Sequence, residues 1–506
     1  LRTFPARVDA VTSADIQRVV SKYLAKSNRT VGRLIAKGGE GPTGGGSVGK
    51  PSDVRGYRPD PPQVAETAAP PIVPVPAELG AAAPVRRLKL ANGMDVVLQE
   101  NHAAPFVTIY ANILAGPVFE PTGKSGLAAF TAEMLSHGTK KRTWSEIQES
   151  LDFVAARLSF SNGAQVGTAA GQCLTSDLGL LLEAAAEQLT TPSFPPEEIE
   201  KVRSLIIAGQ QQRDEDTYQV AEKELFARLF PEGHPLHNND LGTKETVQGI
   251  TRDDLVAFHL KYYRPENTIL AIVGDFDPAA AAALIEKSFR AWKSLGEPAR
   301  PRLPQVPLPA KPEVVKVPIP NKTQTDIAIG FPGISRRDPD YYQADLMNYL
   351  LGRGGFMSRL NLDIREKLGL AYYVWSNYFA YWGPGPWVLH MGVNPANVDK
   401  ALAAAVDEIR KMQSAPPSDE EMNLWKDYVE GTVARQMETF GGIAQSLIQS
   451  EFYELGPYFP YQYPGLLRAI TADQVLGAAK GKLYPDNYIA VVVGPVDEKP
   501  KEEKTP

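Results

Sequence analysis

"TRDDLVAFHLKYYRPENTILAIVGDF", residues 251–276, decides the fold, because its pattern recurs twice more in the chain. The other copies are "TSADIQRVVSKYLAKSNRTVGRLIA" from Thr12 and "TADQVLGAAKGKLYPDNYIAVVVGPV" from Thr471, and an Asn follows each Thr at the same interval: Asn28, Asn267 and Asn487. In the first copy Thr12 and Asp15 form a capping box, Ile16, Val19, Val20 and Tyr23 keep helical spacing, and Asn28 breaks the helix before an apolar run, Val31 to Ala36. Each copy therefore reads as a helix, a turn and a strand. Three copies of one closing element imply a repeated domain.

Working outward, two long stretches end in this element. One opens at "RLKLANGMDVVLQEN", where Asn92-Gly93 between apolar runs signals a hairpin. A strand, "FVTIYANILAG", follows, then a helix from Ser125 to about His137 and another from the Thr143/Glu146 capping box through Ile147, Leu151, Val154 and Leu158. A long helix starts at "FPPEEIEKVRSLI". The second stretch repeats the plan with strand "TDIAIGFPG", a helix from Asp338, the glycine-rich loop "LGRGGFMSRL", strand "LAYYVWSNYFA" and a helix at "PPSDEEMNLWKDYV". Strands mixed with amphipathic helices must bury their apolar faces on each other, so the expected class is α+β. The expected divisions are 1–37, a Gly/Pro-rich linker over 38–85, a first domain over 86–295, a proline-rich connector over 296–314, a second domain over 315–497 and a charged tail over 498–506.

Composition narrows the function classes. The 506 residues are 43% hydrophobic and 22% charged, enough for two or three domains with ordinary cores. A net charge of −6, without Lys/Arg clusters interleaved with aromatics, speaks against nucleic acid as a partner. No run reaches the roughly 20 apolar residues of a spanning helix, so no membrane partner is expected. The lone Cys173 excludes an internal disulfide and any cysteine-based zinc site, and leaves the compartment open. Of the six histidines only His234 and His237 are neighbours, within the loop-like "EGHPLHNNDLG", and no third ligand accompanies them. "GRGGF" at 352–356 lacks the Lys-Ser/Thr of a phosphate loop; its glycines suit either close approach by an extended peptide or a tight turn.

"SGLAAFTAEMLSHGTKKRTWSEIQESLDFVAARLSFSNG", "RGGFMSRLNLDIREKLGLAYYVWS" and the three closing elements together resemble the pitrilysin/insulinase family of zinc metallopeptidases, the inverted H-x-x-E-H class. The resemblance implies two homologous peptidase-like domains, each a mainly antiparallel sheet covered by helices, forming half of a clamshell. The family's zinc motif falls on the helix in "GLAAFTAEMLSHGT", where its two histidines and general base correspond to Ala129, Glu133 and Ala132, and the third ligand falls near Ala208-Gly209. An alanine has no lone pair to give, so no metal is expected in this chain. Domain 86–295 is then a degenerate zinc-peptidase-like domain, and zinc belongs to a homologous partner half, either a separate subunit or an upstream part of the same polypeptide. Residues 1–37 would be the closing helix and strand of such an upstream domain, so the chain is expected to begin at a boundary inside a longer peptidase.

The same resemblance matches Arg365 and Tyr372 to an Arg and Tyr that face the chamber from the half opposite the zinc. A guanidinium and a phenol can donate hydrogen bonds to a peptide carbonyl or to the oxyanion that develops on it. By residue type alone, the plainer reading is that Arg365 caps a helix ending at Gly369 and Tyr372 is a core strand aromatic; the resemblance reverses that preference. The family binds peptide as an added strand, a contact that would fall to Gly352, Gly354, Gly355, Phe356 and the neighbouring strands. The expected role is the non-catalytic half of a zinc metalloendopeptidase, with an inert structural or peptide-binding module as the alternative.

Overall fold

The computed structural model describes residues 7–8, 10–30, 32, 85–238 and 240–495. The chain divides into two units, Leu1–Val75 and Pro76–Pro506. In the first, helix Ser13–Tyr23 carries the expected Thr12/Asp15 capping box, and a short 3₁₀ turn, Lys26–Asn28, follows it. The strand expected over Val31–Ala36 lies, Gly32 apart, outside the described residues.

Among the described residues the second unit holds two sheets. β1 (Val85–Lys89), β2 (Asp95–Glu100), β3 (Phe106–Ile113), β4 (Arg157–Asn162), β5 (Gly167–Leu174) and β6 (Thr268–Gly274) are ordered β1-β2-β6-β3-β5-β4. β7 (Glu313–Pro318), β8 (Thr325–Pro332), β9 (Ala371–Tyr378), β10 (Pro386–Val393) and β11 (Ile489–Gly494) are ordered β7-β11-β8-β10-β9. Apart from the extra β1 the two orders are the same. In both sheets the closing strand pairs parallel to one neighbour, β6 to β2 and β11 to β7, and every other pairing is antiparallel. The closing element therefore supplies a central strand, which explains why its apolar run is continuous rather than alternating.

Each sheet packs one face on helices from its own stretch of sequence. The other face takes a helix from the opposite stretch. Helix Thr217–Leu229 sets Val220, Ala221, Leu225 and Leu229 against Ala328, Val388, Val491 and Val493 of the second sheet. Helix Phe440–Phe452 sets Phe440, Ile443, Ala444, Leu447 and Ile448 against Val97, Ala271 and Val273 of the first. The exchange is reciprocal, so the two sheets are interlocked through covalently distant helices.

Two expectations are corrected. The capped helix at Thr143 ends at Phe153; Ala155 takes φ +53° and reverses the chain, and Leu158 lies on β4. Val154 and Leu158 keep helical spacing by coincidence, since Leu158 and Phe160 are the inward positions of an alternating strand. The "LGRGGFMSRL" stretch is not an open loop. It continues helix Tyr341–Asn348 as a π-helical turn, Tyr349–Arg353, then a 3₁₀ turn, Gly355–Met357, and a π-helical segment, Asn361–Lys367.

Candidate functional site

The helix that would carry the zinc motif, Leu127–Met134, is short and nearly all buried. Its N-terminus is held by Glu120, whose carboxyl accepts from the backbone N–H of Gly126 at 3.1 Å and of Ala128 at 2.8 Å. Burial pushes the Glu120 carboxyl up to about 8, against the lowering effect of those two N–H groups. Ala132 is buried and Ala129 half-buried, and neither offers a donor atom. Glu133 is exposed and lies 3.7 Å from Nε2 of His137, whose Nδ1 is 2.9 Å from the Glu198 carboxylate. These two carboxylates hold the imidazole above its ordinary range, Glu133 contributing most, with burial opposing. Ala208 is exposed on helix Pro196–Asp214, and open space faces the α-carbon of Gly209. Among the described residues no group of three or more His, Cys, Asp or Glu could hold a metal ion. Zinc does not fit this arrangement.

His234, His237 and His259 are structural in their contacts. His234 Nε2 lies 3.0 Å from the Pro304 carbonyl and His237 Nδ1 2.8 Å from that of Phe230, so the neighbouring pair braces its loop. His259 reaches the Leu189 carbonyl at 2.8 Å. Cys173 is buried on β5, where desolvation pushes its thiol up to about 12 and keeps it protonated.

Arg365 and Tyr372 come together at two backbone irregularities. Arg365 stands on the π-helical segment Asn361–Lys367, and Asn361 ties that segment to β9 by donating its amide to the Val374 carbonyl at 2.7 Å. On β9, an edge strand, the register slips between Gly392 and Val393 of β10: Tyr373 faces Gly392, Ala371 faces Val393, and Tyr372 is left without a cross-strand partner. Such a bulge re-aims a side chain, and π turns in helices are likewise common at functional sites. Tyr372 is accordingly 58% exposed rather than in the core. Arg365 does not cap a helix end. Its Nε donates to the Tyr372 carbonyl at 3.0 Å, Nη1 pairs with Glu366, and the guanidinium lies 4.7 Å from the Phe356 ring centroid.

The glycines beside them divide in two. A Cβ on Gly354 would sit 2.0 Å from the Trp425 ring and one on Gly352 would sit 2.4 Å from Ser376 Oγ, so both are explained by internal packing and both are buried. Gly355 takes φ +71° with open space around it, and it turns the exposed Phe356 outward beside Arg365. Phe356, Arg365 and Tyr372 thus form one surface group at the start of an edge strand.

Two α+β domains of matching strand order, each sheet covered by helices, define a metallopeptidase-like fold. Residues 95–243 match the family model described as insulinase (peptidase family M16), and residues 249–428 match the model described as peptidase M16 inactive domain. The chain belongs to this insulinase family of zinc proteases. It is 25% identical over 82% of its length to a protein named as an uncharacterized zinc protease in Streptomyces coelicolor, covering 90% of that protein. A similarly named Bacillus subtilis protein is 22% identical over 82% of the chain and 100% of its own length. A crystal structure of a peptidase M16 inactive domain from Pseudomonas fluorescens superposes with a TM-score of 0.77 at 25% identity, over 83% of this chain and 100% of that one. A protease from Helicobacter pylori shares the fold with a TM-score of 0.75 at 19% identity, over 81% of this chain and 99% of that one.

Proposed function

We propose that this chain is the non-catalytic half of a two-half zinc metalloendopeptidase, presenting Arg365 and Tyr372 to a peptide held between it and a zinc-bearing homologous half. The observation that carries the reading is the exposed Tyr372 at the bulge of an edge strand, with Arg365 locked to its carbonyl, in a chain that has Ala129 and Glu133 where the resemblance puts the two zinc histidines and Ala132 where it puts the general base. The phenol can donate to a carbonyl oxygen of the bound peptide, and the guanidinium both fixes the bulge and adds positive charge beside it. Phe356 offers an apolar contact next to them, and the free side of β9 can pair with an extended main chain. The zinc-bearing half supplies the hydrolytic chemistry.

A second reading is an inert structural or peptide-binding module. It is favoured by the engagement of Arg365 Nε and Nη1 within the chain. Peptide cleavage by a zinc-bearing half, measured with and without this chain, separates the two. Activity that requires the chain and falls with Tyr372→Phe supports the first reading, and activity indifferent to both supports the second.

A further inference from the structure

The first copy of the closing element has the local structure of the other two, but its helix has no buried residue among the described ones. Thr12, Thr251 and Thr471 each cap their helix with a reciprocal bond from the third residue on. Asn28 donates its amide to the Tyr23 carbonyl at 3.3 Å, as Asn267 does to the equivalent Tyr262 carbonyl at 2.8 Å. The helix and turn are therefore already shaped.

Burial separates the copies. Ile16, Val19 and Val20 are 56%, 43% and 45% exposed, whereas Leu255, Phe258 and His259 at the same places in the second copy are 0%, 3% and 5%. In the third copy Val475, Ala478 and Ala479 are 0%, 6% and 0%. A helix of the same domain packs on each of those faces, Leu127–Met134 in one case and Tyr341–Asn348 in the other. Helix Ser13–Tyr23 has no buried residue, yet it keeps an apolar stripe, completed by Tyr23, opposite the polar face of Asp15, Arg18 and Lys22.

We infer that Ser13–Asn28 is a docking element for an α+β domain of this same plan whose own closing helix is missing. A second copy of this chain is the wrong occupant, because Arg252–Tyr262 and Ala472–Lys482 already fill both such places in it. The partner is a homologous domain with an apolar helix left uncovered, and its assignment to the zinc-bearing half rests on the function proposed above. Larger side chains at Val19 and Val20 than at Ala478 and Ala479 call for a wider gap than the second sheet's domain leaves.

The test is amide hydrogen exchange on the full chain. The probe is a full-length zinc-bearing half of the H-x-x-E-H class in which the apolar face of its own closing helix carries aspartates, so that the helix vacates its place while the closing strand stays in the sheet. Exchange over residues 13–28 slows at least tenfold on mixing if the inference holds. Ile16→Asp combined with Val20→Asp abolishes that protection without moving the thermal midpoint of the chain, since both side chains are exposed in it, while Arg18→Ala leaves protection intact. Unchanged exchange on mixing overturns the inference, and so does full protection in the double variant. If cleavage appears on mixing while 13–28 stay unprotected, the docking fails and the catalytic pairing stands; protection without cleavage has the opposite meaning.

Discussion

Replacing Glu120 by glutamine should remove one specific pH dependence of stability. Glu120 is a buried carboxyl at the N-terminus of helix Leu127–Met134, raised from 4.5 to about 8 mainly by desolvation. In the unfolded chain it ionises near its ordinary value, so between about pH 4.5 and 8 the folded state keeps a proton that the unfolded state releases. Stability from this group is thus fully present below pH 4.5 and is lost as pH rises through 8. Each pH unit in the window removes at most about 1.4 kcal/mol, and the whole gap sets a ceiling of about 5 kcal/mol. Water entering beside the charged carboxylate lowers the real figure, so about 2–4 kcal/mol is expected. The amide of the Glu120→Gln variant keeps an oxygen for the Gly126 and Ala128 N–H groups and never ionises. The assay is urea denaturation of both proteins from pH 5 to 9. His137, raised by Glu133 and Glu198, is the same in both proteins and contributes equally to both curves, so the difference isolates Glu120. A constant difference across the window would refute the reasoning.

Further outcomes are expected. In the reconstituted enzyme Tyr372→Phe should lower kcat about 100-fold with little change in thermal midpoint, the size of one lost transition-state donor; an unchanged kcat removes Tyr372 from the chemistry. Leu447→Ala should cost about 3–5 kcal/mol in chemical denaturation, because the side chain is fully buried against the first sheet. Gly354→Ala should cost about 1–3 kcal/mol or more, since the new methyl meets the Trp425 ring, whereas Gly355→Ala pays only for its left-handed backbone, about 1 kcal/mol. Equilibrium dialysis of the chain alone should find no stoichiometric zinc, and a chelator should leave its melting temperature unchanged.

The duplication was legible because the closing element carries strong local signals: a capping Thr, a helix of regular period, a turn Asn and a continuous apolar strand. The expectation of no metal was legible in residue type alone, because alanine at Ala129 can coordinate nothing and alanine at Ala132 can act as no base whatever the fold. The exchange of helices was hidden, since the amphipathic patterns of Thr217–Leu229 and Phe440–Phe452 say that a face is buried but not on which sheet. The bulge at Tyr372 and the π turns around Arg365 were hidden too, because a one-residue slip leaves hydrophobic spacing almost unchanged. Leu158 fitted two periods at once, and only the reversal at Ala155 decided between them. Glu120 gave no signal, as nothing in sequence marks a carboxyl that will be buried seven residues before its helix.

The reciprocal helices impose a delay on synthesis. The first sheet closes with β6, but Phe440–Phe452, which covers its second face, leaves the ribosome about 170 residues later. At about 5–20 residues per second that is on the order of ten to thirty seconds. Throughout that interval Val97, Ala271 and Val273 stand open to water, an adhesive surface on a nascent chain. The first sheet cannot be covered until most of the second stretch is made, and a nascent-chain chaperone that shields apolar sheet faces should raise the yield of the whole chain.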